Sequence, residues 1–379
     1  MDNPFIVDLF SGCGGFGLGA KMAGFDCRVA VDIDETLQSA YRTNFPNTTA
    51  IQADIGALER SAWRLLLRDK RPDGVIGGPP CQGFSRMGRR DLEDPRNSLI
   101  EHFFRHVAHL DPKFFVMENV EGLLDEGRID VLLTALRHVS KRYKILDPII
   151  VKASDYGAPT IRTRVILVGY NPNEIEELSI TDFLPRDEIK RVTVRDAISD
   201  LPMPIISKAK SQYSWSKYPS IKTHGLSEYA QIARRLPPEG MGNVEAIRKL
   251  TQRCSSGHEA TVHSTVVAER YGALEQGQTE KVSKSVRLKW DGFCPTLRAG
   301  TGSEKGSHQA VRPIHPEEPR VITVREAARL QGFPDWFLFH PTKWNSFRMI
   351  GNSVSPKVSE FLLARIHEKI ISRELCSYA

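Results

Sequence analysis

The first 170 residues alternate short apolar runs with stretches of helical periodicity. Continuous apolar runs over 5–10, 27–33 and 113–120 predict buried strands, and shorter runs over 74–78 and 165–170 predict two more. Helical periodicity between them predicts helices over 15–24, 35–44 and 128–142. Because strands covered on both faces are apolar throughout, the alternation predicts an α/β fold with a mostly parallel sheet between helices.

The pattern changes after residue 170. Residues 171–320 are rich in Pro, Gly, Ser and Lys and contain no long periodic stretch. Helical periodicity returns at Thr323, where the sequence TVRE has capping-box spacing and predicts a helix over 325–331. Ser355 and Pro356 form an N-cap and N1 pair that predicts a last helix to about residue 373. We therefore predict an α/β domain over 1–185, an irregular inserted domain over 186–318, and a return to the first domain over 319–379.

Composition narrows the class of protein. With 379 residues, 40% hydrophobic and 26% charged, the chain can bury a sizeable core, which excludes disorder of the whole chain. No apolar run approaches the roughly 18 residues of a membrane span, and residues 1–4 lack the start of a signal peptide. The six cysteines show no C-x-x-C spacing, so we expect neither a zinc site nor a disulfide framework. These features predict an intracellular, reduced protein with no metal.

The positive charge is concentrated in one segment. The net charge is only +6, but residues 201–315 hold 17 Lys and Arg against 9 Asp and Glu, whereas the rest holds 35 against 37. Such a segment is expected to face a polyanion. On charge alone, an idle basic surface is an equally good interpretation.

The first motif with chemical content runs from Asp8 to Gly17. Its glycines satisfy G-x-G-x-x-G after a predicted strand, and Asp32 follows Gly12 by 20 residues. This spacing is typical of a nucleotide site with an acid on the ribose hydroxyls, and alone it suits either NAD or S-adenosylmethionine. Asp8 favours S-adenosylmethionine, because a carboxylate repels a pyrophosphate but attracts an ammonium group.

A cysteine in a rigid turn is the second candidate feature. Cys81 lies in GGPPCQGFS (77–85), directly after a predicted strand, where parallel sheets bind ligands. A buried packing cysteine is the common alternative. The cationic loop over 82–98 is suited to closing over a nucleic-acid backbone, although on charge alone a solvated charge run is the better explanation of its arginines.

Three further motifs complete the set. Glu118, in ENV, ends an apolar strand, where a carboxylate is costly to bury without a partner or a chemical role. Arg162 and Arg164 alternate, so both point to one face, which suits a base edge, a phosphate or Glu118. The sequence GNSV over 351–354 forms a predicted loop before the last helix.

Taken together in this order, DLFSGCGG, GGPPCQGFS, ENV, RTR, TVREAARLQGFPDWF (323–337) and GNSV resemble the DNA (cytosine-5) methyltransferases. The resemblance spans nearly the whole catalytic part. It implies a Rossmann-like S-adenosylmethionine-dependent methyltransferase domain with a small inserted target-recognition domain. The inserted domain coincides with the irregular region that contains the positively charged residues 201–315. It further implies a sequence-specific modification enzyme acting on double-stranded DNA, beside a separate cognate restriction endonuclease.

Roles follow from the resemblance residue by residue. Cys81 corresponds to the nucleophile, Glu118 to the residue that contacts the base, and Arg162 and Arg164 to the arginines near the flipped cytosine. The cofactor pocket is matched by Phe10, Ser11, Gly12, Cys13, Gly14, Gly15, Asp32, Ile33, Asp54, Ile55, Pro80, Leu99, Asn352, Ser353 and Val354. For contacts with DNA we predict Ser85, Arg86, Arg89, Arg90, Arg287, Lys289 and Arg298. The chain departs from the family at Thr160, often Gln, and at Ile33, often aromatic.

The chemistry of cytosine supports this assignment. C5 is a poor nucleophile until a thiolate adds to C6, and the target carbon is inaccessible in a stacked duplex, so the base must be flipped out. The sequence assigns no acceptor for the C5 proton, and a monomer suits a single asymmetric site. Three alternatives remain at this stage: methylation of RNA, DNA binding without catalysis, and an NAD-dependent oxidoreductase.

Overall fold

The computed structural model of the protein describes residues 3–80, 98–206, 213–220, 225–299 and 311–377. Its largest element is an eight-stranded sheet with the order β3-β2-β1-β4-β5-β8-β6, in which β7 also pairs with β8. The strands are β1 Phe5–Leu9, β2 Asp26–Asp32, β3 Thr49–Gln52, β4 Gly74–Gly77, β5 Phe114–Asn119, β6 Lys144–Ile145, β7 Ile149–Lys152 and β8 Thr163–Tyr170.

The sheet has a parallel part and an antiparallel part. Strands β3, β2, β1, β4 and β5 pair in parallel, whereas β8 runs antiparallel to β5, β6 and β7. The prediction of an α/β fold is confirmed. Strand β8 was predicted without its direction, because an apolar run has the same pattern in either orientation.

The apolar strands divide their side chains between two cores. In β5, Phe114 and Val116 pack into one buried cluster, while Phe115 and Met117 pack into the other. Successive side chains of a strand point to opposite faces, so a strand between two helical layers must be apolar at both sets of positions. The continuous apolar runs in the sequence therefore reflect a sheet buried on both faces.

Helices cover both faces of this sheet. Trp63, Phe103 and Leu132 bring α3, α4 and α5 to one core, and Leu37 and Leu362 bring α2 and α12 to the other. The helices are α1 Gly15–Met22, α2 Glu35–Asn44, α3 Arg60–Leu67, α4 Ser98–Leu110, α5 Ile129–Leu136, α6 Val194–Ile198, α7 Glu228–Ala233, α8 Val244–Thr251, α9 Thr265–Gly272, α10 Val324–Gln331, α11 Lys343–Asn352 and α12 Pro356–Ser377.

Helix α12 returns the chain to its first domain. A Cβ atom on Gly19 of α1 would lie 1.9 Å from Ser359 Oγ and 2.7 Å from the carbonyl oxygen of Pro356, so only glycine allows this approach. The C-terminal elements thus pack directly against the helix after β1. The domain boundaries themselves remain predictions.

The predicted helix over 35–44 and the capping box at Thr323 are confirmed, since the Thr323 side chain accepts from the backbone N–H of Glu326. Three details were wrong. The helix predicted over 128–142 is regular only over Ile129–Leu136, and the predicted loop at 351–354 begins inside α11. Strands β3 and β7 and helices α3 and α4 were not predicted.

The segment over 186–318, which we call the basic segment, has a different construction. Its described part contains the short helices α6 to α9 and a two-stranded antiparallel sheet of β9 Trp215–Lys217 and β10 Cys254–Ser256. None of the described helices, here or elsewhere, is long and apolar enough to cross a membrane.

Candidate active site

A cavity of about 470 Å³ opens at the carboxyl ends of β1, β2, β4 and β5. Strand order changes direction between β1 and β4, which is where open α/β sheets bind ligands. Every predicted cofactor residue except Gly14 lines this cavity, namely Phe10, Ser11, Gly12, Cys13, Gly15, Asp32, Ile33, Asp54, Ile55, Pro80, Leu99, Asn352, Ser353 and Val354. The predicted catalytic residues Glu118, Arg162 and Arg164 line it as well.

The glycine loop forms one wall. Gly14 has φ +97°, and a Cβ there would lie 2.5 Å from the ring of Phe45, so this position both needs a left-handed backbone and lacks space for a side chain. Gly14 supports the loop from behind rather than facing the cavity. The Ser11 hydroxyl accepts a hydrogen bond of 2.7 Å from the amide of Gln38, a buried residue of α2 that sequence reasoning missed.

Asp32 is fixed at the end of β2. One carboxylate oxygen accepts the backbone N–H of Gly12 at 2.8 Å and the other accepts that of Asp34 at 2.9 Å. Burial raises the pKa of Asp32, and these two hydrogen bonds oppose the rise. Each oxygen keeps a lone pair, so the carboxylate can accept hydrogen bonds from two vicinal hydroxyl groups.

Asp8 lies deeper than the sequence indicated. Its carboxyl is buried and accepts a hydrogen bond of 3.3 Å from the Tyr41 hydroxyl, while Oδ1 has no partner among the described residues. Burial raises the pKa of Asp8 well above its ordinary value, against the effect of the Tyr41 hydrogen bond. The residue lines the cavity, so a cationic group entering there would supply the missing partner.

The far end of the cavity is formed by two loops. Asp54 accepts the backbone N–H of Gly56 at 2.8 Å through one oxygen, which leaves the other oxygen for a ligand. Ile55 is buried beside it, whereas Ile33 is 67% exposed. An apolar, partly open slot of this kind suits the faces of a flat ring.

The C-terminal return closes another side. Gln331 donates through its amide to the carbonyl oxygen of Ser353 at 2.9 Å, and the Cys13 thiol lies 3.7 Å from the carbonyl oxygen of Met349. Burial raises the pKa of the Cys13 thiol to about 12, so this cysteine is inert. Arg348 also lines the cavity and pairs with Asp34; no motif in the sequence indicated it.

Glu118 and Arg164 form an ion pair in the cavity wall. The Nε atom of Arg164 lies 2.9 Å from Oε1 of Glu118, and both side chains are largely buried. Oε1 nevertheless has no aligned hydrogen-bond donor among the described residues. The neighbouring Asn119 donates through its amide to the carbonyl oxygen of Pro79 at 3.2 Å, which ties β5 to the chain just before Cys81.

Arg162 occupies a different environment from Arg164, although both line the cavity as the period-two spacing predicted. It is buried, and its guanidinium donates to the carbonyl oxygen of Gly351 at 3.0 Å, in the last turn of α11. Burial and the repulsion of Arg164 lower the pKa of Arg162 to about 9. These contacts indicate that Arg162 joins the strand to the C-terminal return.

The predicted DNA contacts divide into three groups. Lys289 and Arg298 are exposed on the basic segment. Arg287 is buried, and its guanidinium donates to the carbonyl oxygens of residues 271, 272, 274, 316 and 317. Because these bonds use its donors, we correct the prediction for Arg287: it holds the segment together and does not reach base edges. The predicted nucleophile Cys81 and the predicted contacts Ser85, Arg86, Arg89 and Arg90 lie outside the described residues.

Comparison with known proteins supports the function that this geometry indicates. Residues 5–368 match the family of C-5 cytosine-specific DNA methylases. The type II methyltransferase M.XorII of Xanthomonas oryzae pv. oryzae is 39% identical over 96% of this chain and 84% of its own, and M.DdeI of Desulfomicrobium norvegicum is 33% identical over 95% and 88%.

Solved structures give the same result. A candidate DNA modification methyltransferase encoded within an E. coli prophage superimposes with a TM-score of 0.86 and 43% identity, over 97% of this chain and 99% of that one. The S. pombe Dnmt2 methyltransferase shares the fold, with a TM-score of 0.61 at 19% identity over 96% and 98%. The chain therefore belongs to the C-5 cytosine-specific DNA methylases and is a DNA cytosine-5 methyltransferase.

Proposed function

We propose that the protein methylates C5 of one cytosine within a short recognition sequence of double-stranded DNA, with S-adenosylmethionine as methyl donor. The observation that supports this most directly is the shared cavity. A buried carboxylate paired with an arginine, Glu118 with Arg164, lines the same space as the acids Asp32 and Asp54. A base and a nucleoside-containing donor can thus bind within reach of each other.

The wall residues fit S-adenosylmethionine. Asp32 would accept hydrogen bonds from the ribose hydroxyls, Asp54 from the adenine amino group, and the buried Oδ1 of Asp8 would balance the ligand's positive charge. Ile33 and Ile55 would contact the faces of the adenine, with Pro80 and Leu99 beside them. When bound, S-adenosylmethionine supplies an electrophilic methyl group.

Glu118 and Arg164 would hold the flipped cytosine. The Glu118 carboxyl group lines the cavity and suits the N3 and amino edge of the base, where it would hold a proton on N3 as electron density develops there during addition of a thiolate to C6. Arg164 fixes the carboxylate through their ion pair and keeps donors for the carbonyl oxygen of the base. A charged pair that is already in place costs no reorganisation at the moment of reaction.

Cys81 would be the nucleophile. Its thiolate would add to C6, which would make C5 nucleophilic enough to take the methyl group that S-adenosylmethionine supplies, and S-adenosylhomocysteine would be released as the product. Loss of the C5 proton and elimination of the thiolate restore the ring. Asn119, which is among the described residues, supports this role because its amide holds the carbonyl group of Pro79, two residues before Cys81.

The basic segment would supply the DNA surface. Lys289 and Arg298 are exposed there, and Ser85, Arg86, Arg89 and Arg90 would contribute from the part of the chain around Cys81. Contacts with phosphates would help stabilise the extrahelical base, which costs a few kcal/mol to expose. A further step is that the enzyme acts as a monomer and protects DNA from a separate cognate endonuclease; the type II names of its relatives support a role in restriction and modification.

Duplex DNA containing 5-fluorocytosine tests the covalent step. Fluorine at C5 cannot leave as a proton does, so the protein should stay attached to the DNA when S-adenosylmethionine is present. We expect a denaturation-resistant complex with the wild type and none with Cys81→Ser, which should still bind duplex DNA. An equal yield of complex from Cys81→Ser would refute the assigned nucleophile.

A further inference from the structure

The loop that carries Asp54 and Ile55 is held from behind by a buried chain of hydrogen bonds. The Nε1–H group of Trp63, on α3, donates to Nδ1 of His106, on α4, at 2.9 Å. Nε2 of His106 lies 2.8 Å from the carbonyl oxygen of Ile55. Trp63 is 2% exposed and His106 is fully buried, so water does not compete for these bonds.

The tautomer of His106 follows from Trp63 and the Ile55 carbonyl group, while Nη2 of Arg105 lies 3.3 Å from Nε2 and shares the Ile55 carbonyl oxygen. An indole N–H only donates, so Nδ1 must be the acceptor and must lack a proton. Nε2 then carries the proton and donates to the carbonyl oxygen of Ile55. Burial lowers the pKa of His106 to about 4, partly opposed by the bond with Ile55, so the neutral form persists under ordinary conditions.

Arg105 strengthens the same contact. Its guanidinium donates to the carbonyl oxygens of Ile55 at 3.1 Å and of Gly56 at 2.9 Å. Two adjacent residues of α4 therefore hold two consecutive carbonyl groups of the loop. On the cavity side of this loop lie the carboxylate of Asp54 and the side chain of Ile55.

We propose that Trp63, Arg105 and His106 are positioning residues that set the adenine-facing wall of the cavity and thereby determine affinity for the methyl donor. The inference rests on the proposed function, since it assumes that the adenine of S-adenosylmethionine lies against Asp54 and Ile55. None of the three residues is among those that line the cavity, so they act through the loop. A wall held in its binding geometry costs less to order when the ligand arrives.

Calorimetric binding of S-adenosylhomocysteine to the full chain tests the proposal. We expect about fivefold to twentyfold weaker binding for Trp63→Phe, Arg105→Met and His106→Leu, since each removes hydrogen bonds to the loop or to its support. His106→Gln should recover part of the loss, because an amide still donates to the Ile55 carbonyl. The nucleoside 5′-methylthioadenosine should lose affinity by the same factor, because it contains the adenine but no amino acid.

Trp290→Phe is the matched control. This substitution also removes a buried indole donor, which bonds to Glu317 at 2.7 Å, but Trp290 lies in the basic segment. Its affinity for S-adenosylhomocysteine should stay within twofold of the wild type. In turnover assays the loop variants should raise KM for S-adenosylmethionine while leaving kcat and KM for DNA close to the wild-type values.

The binding measurements distinguish failure of the proposed function from failure of the inference about the loop. If the wild type does not bind S-adenosylhomocysteine, the proposed donor is wrong and the inference falls with it. If the wild type binds but folded Trp63→Phe and Arg105→Met bind equally well, the inference alone is overturned. These two variants retain most of the packing, so the test does not depend on His106→Leu being stable.

Discussion

In strands β1 and β5 every side chain is buried and most are apolar. In the basic segment and its junction with α10, buried arginines connect the elements. Arg329 is fully buried and pairs with Asp335, at 2.6 Å, and with Asp200, at 3.1 Å. Arg287 in turn holds five carbonyl groups of the basic segment. The sheet is thus stabilised mainly by apolar burial, whereas the insert combines an apolar core with charge-assisted hydrogen bonds from buried arginines.

This difference affects how basic charge is interpreted. The excess of Lys and Arg over 201–315 predicted a surface facing a polyanion, yet Arg287 faces inward. A guanidinium has five donors in a planar fork, so one side chain can bond several carbonyl groups of an irregular segment at once. Part of the charge that resembles a DNA surface is therefore internal support.

The largest effect is expected at the site built on the sheet. Glu118→Gln should lower kcat by about 10²- to 10⁴-fold, because an amide can neither hold nor deliver the proton that N3 takes up as the thiolate adds to C6. Binding of S-adenosylhomocysteine and the melting temperature should change little. Steady-state methylation assays measure the effect, and turnover within threefold of the wild type would remove Glu118 from the mechanism.

The junction between the two regions should show the largest effect on stability. Arg329→Met leaves Asp335 buried without its main partner and leaves Asp200 with Arg234 alone, which we expect to lower the free energy of unfolding by about 3–5 kcal/mol. Arg195→Met is the control, because Arg195 pairs with Asp291 on an exposed surface, where a pair contributes about 0–1 kcal/mol. Urea titration measures both, and equal losses would contradict the distinction between the regions.

Acid should weaken the same junction. Burial alone raises the pKa of Asp335, but the charge and hydrogen bonds of Arg329 outweigh burial and lower the pKa to about 2. A carboxyl whose pKa falls on folding stabilises the protein fully above its unfolded pKa of about 3.9 and loses this contribution as the pH falls towards 2. The melting temperature of the wild type should therefore fall more steeply between pH 5 and 2 than that of Asp335→Asn. Parallel slopes would show that Asp335 is not the group responsible.

The smallest expected effect distinguishes exposed basic residues from buried ones. Lys289→Ala should reduce the salt dependence of DNA binding by about one unit of log–log slope, with little change in melting temperature, because it removes one exposed phosphate contact. Arg287→Met should instead lower stability, since it leaves several carbonyl groups without donors. The inverse pattern, a stable Arg287→Met with a reduced salt slope, would restore Arg287 to the DNA surface.

Much of the sheet region could be predicted from the sequence, because the burial of apolar side chains that stabilises it produces a regular pattern of apolar residues along the chain. The run FIVDL gives β1, and the helix Glu35–Asn44 was predicted to the residue. Motif spacing indicated Asp32, an apolar strand indicated Glu118, and the family resemblance added Asp54; all three line one cavity, since the carboxyl ends of parallel strands meet at one edge of the sheet.

Other features of the structure produce no recognisable pattern in the sequence. The burial of Arg287, the difference between Arg162 and Arg164, and the support of Ile55 by His106 all depend on contacts between residues far apart in the chain. A hydrogen bond from a side chain to a distant carbonyl requires no particular residue at the acceptor position. Local patterns therefore cannot predict such contacts, and only the three-dimensional structure shows them.

Base-resolution mapping of 5-methylcytosine tests the central claim most directly. Purified protein would be incubated with S-adenosylmethionine and duplex DNA of diverse sequence, with Cys81→Ser as the inactive control. We predict methylation at C5 of one cytosine within a single short motif, and none with Cys81→Ser. Absence of methylated DNA from wild-type protein that still binds S-adenosylhomocysteine would contradict the account and point to an RNA substrate or a missing partner.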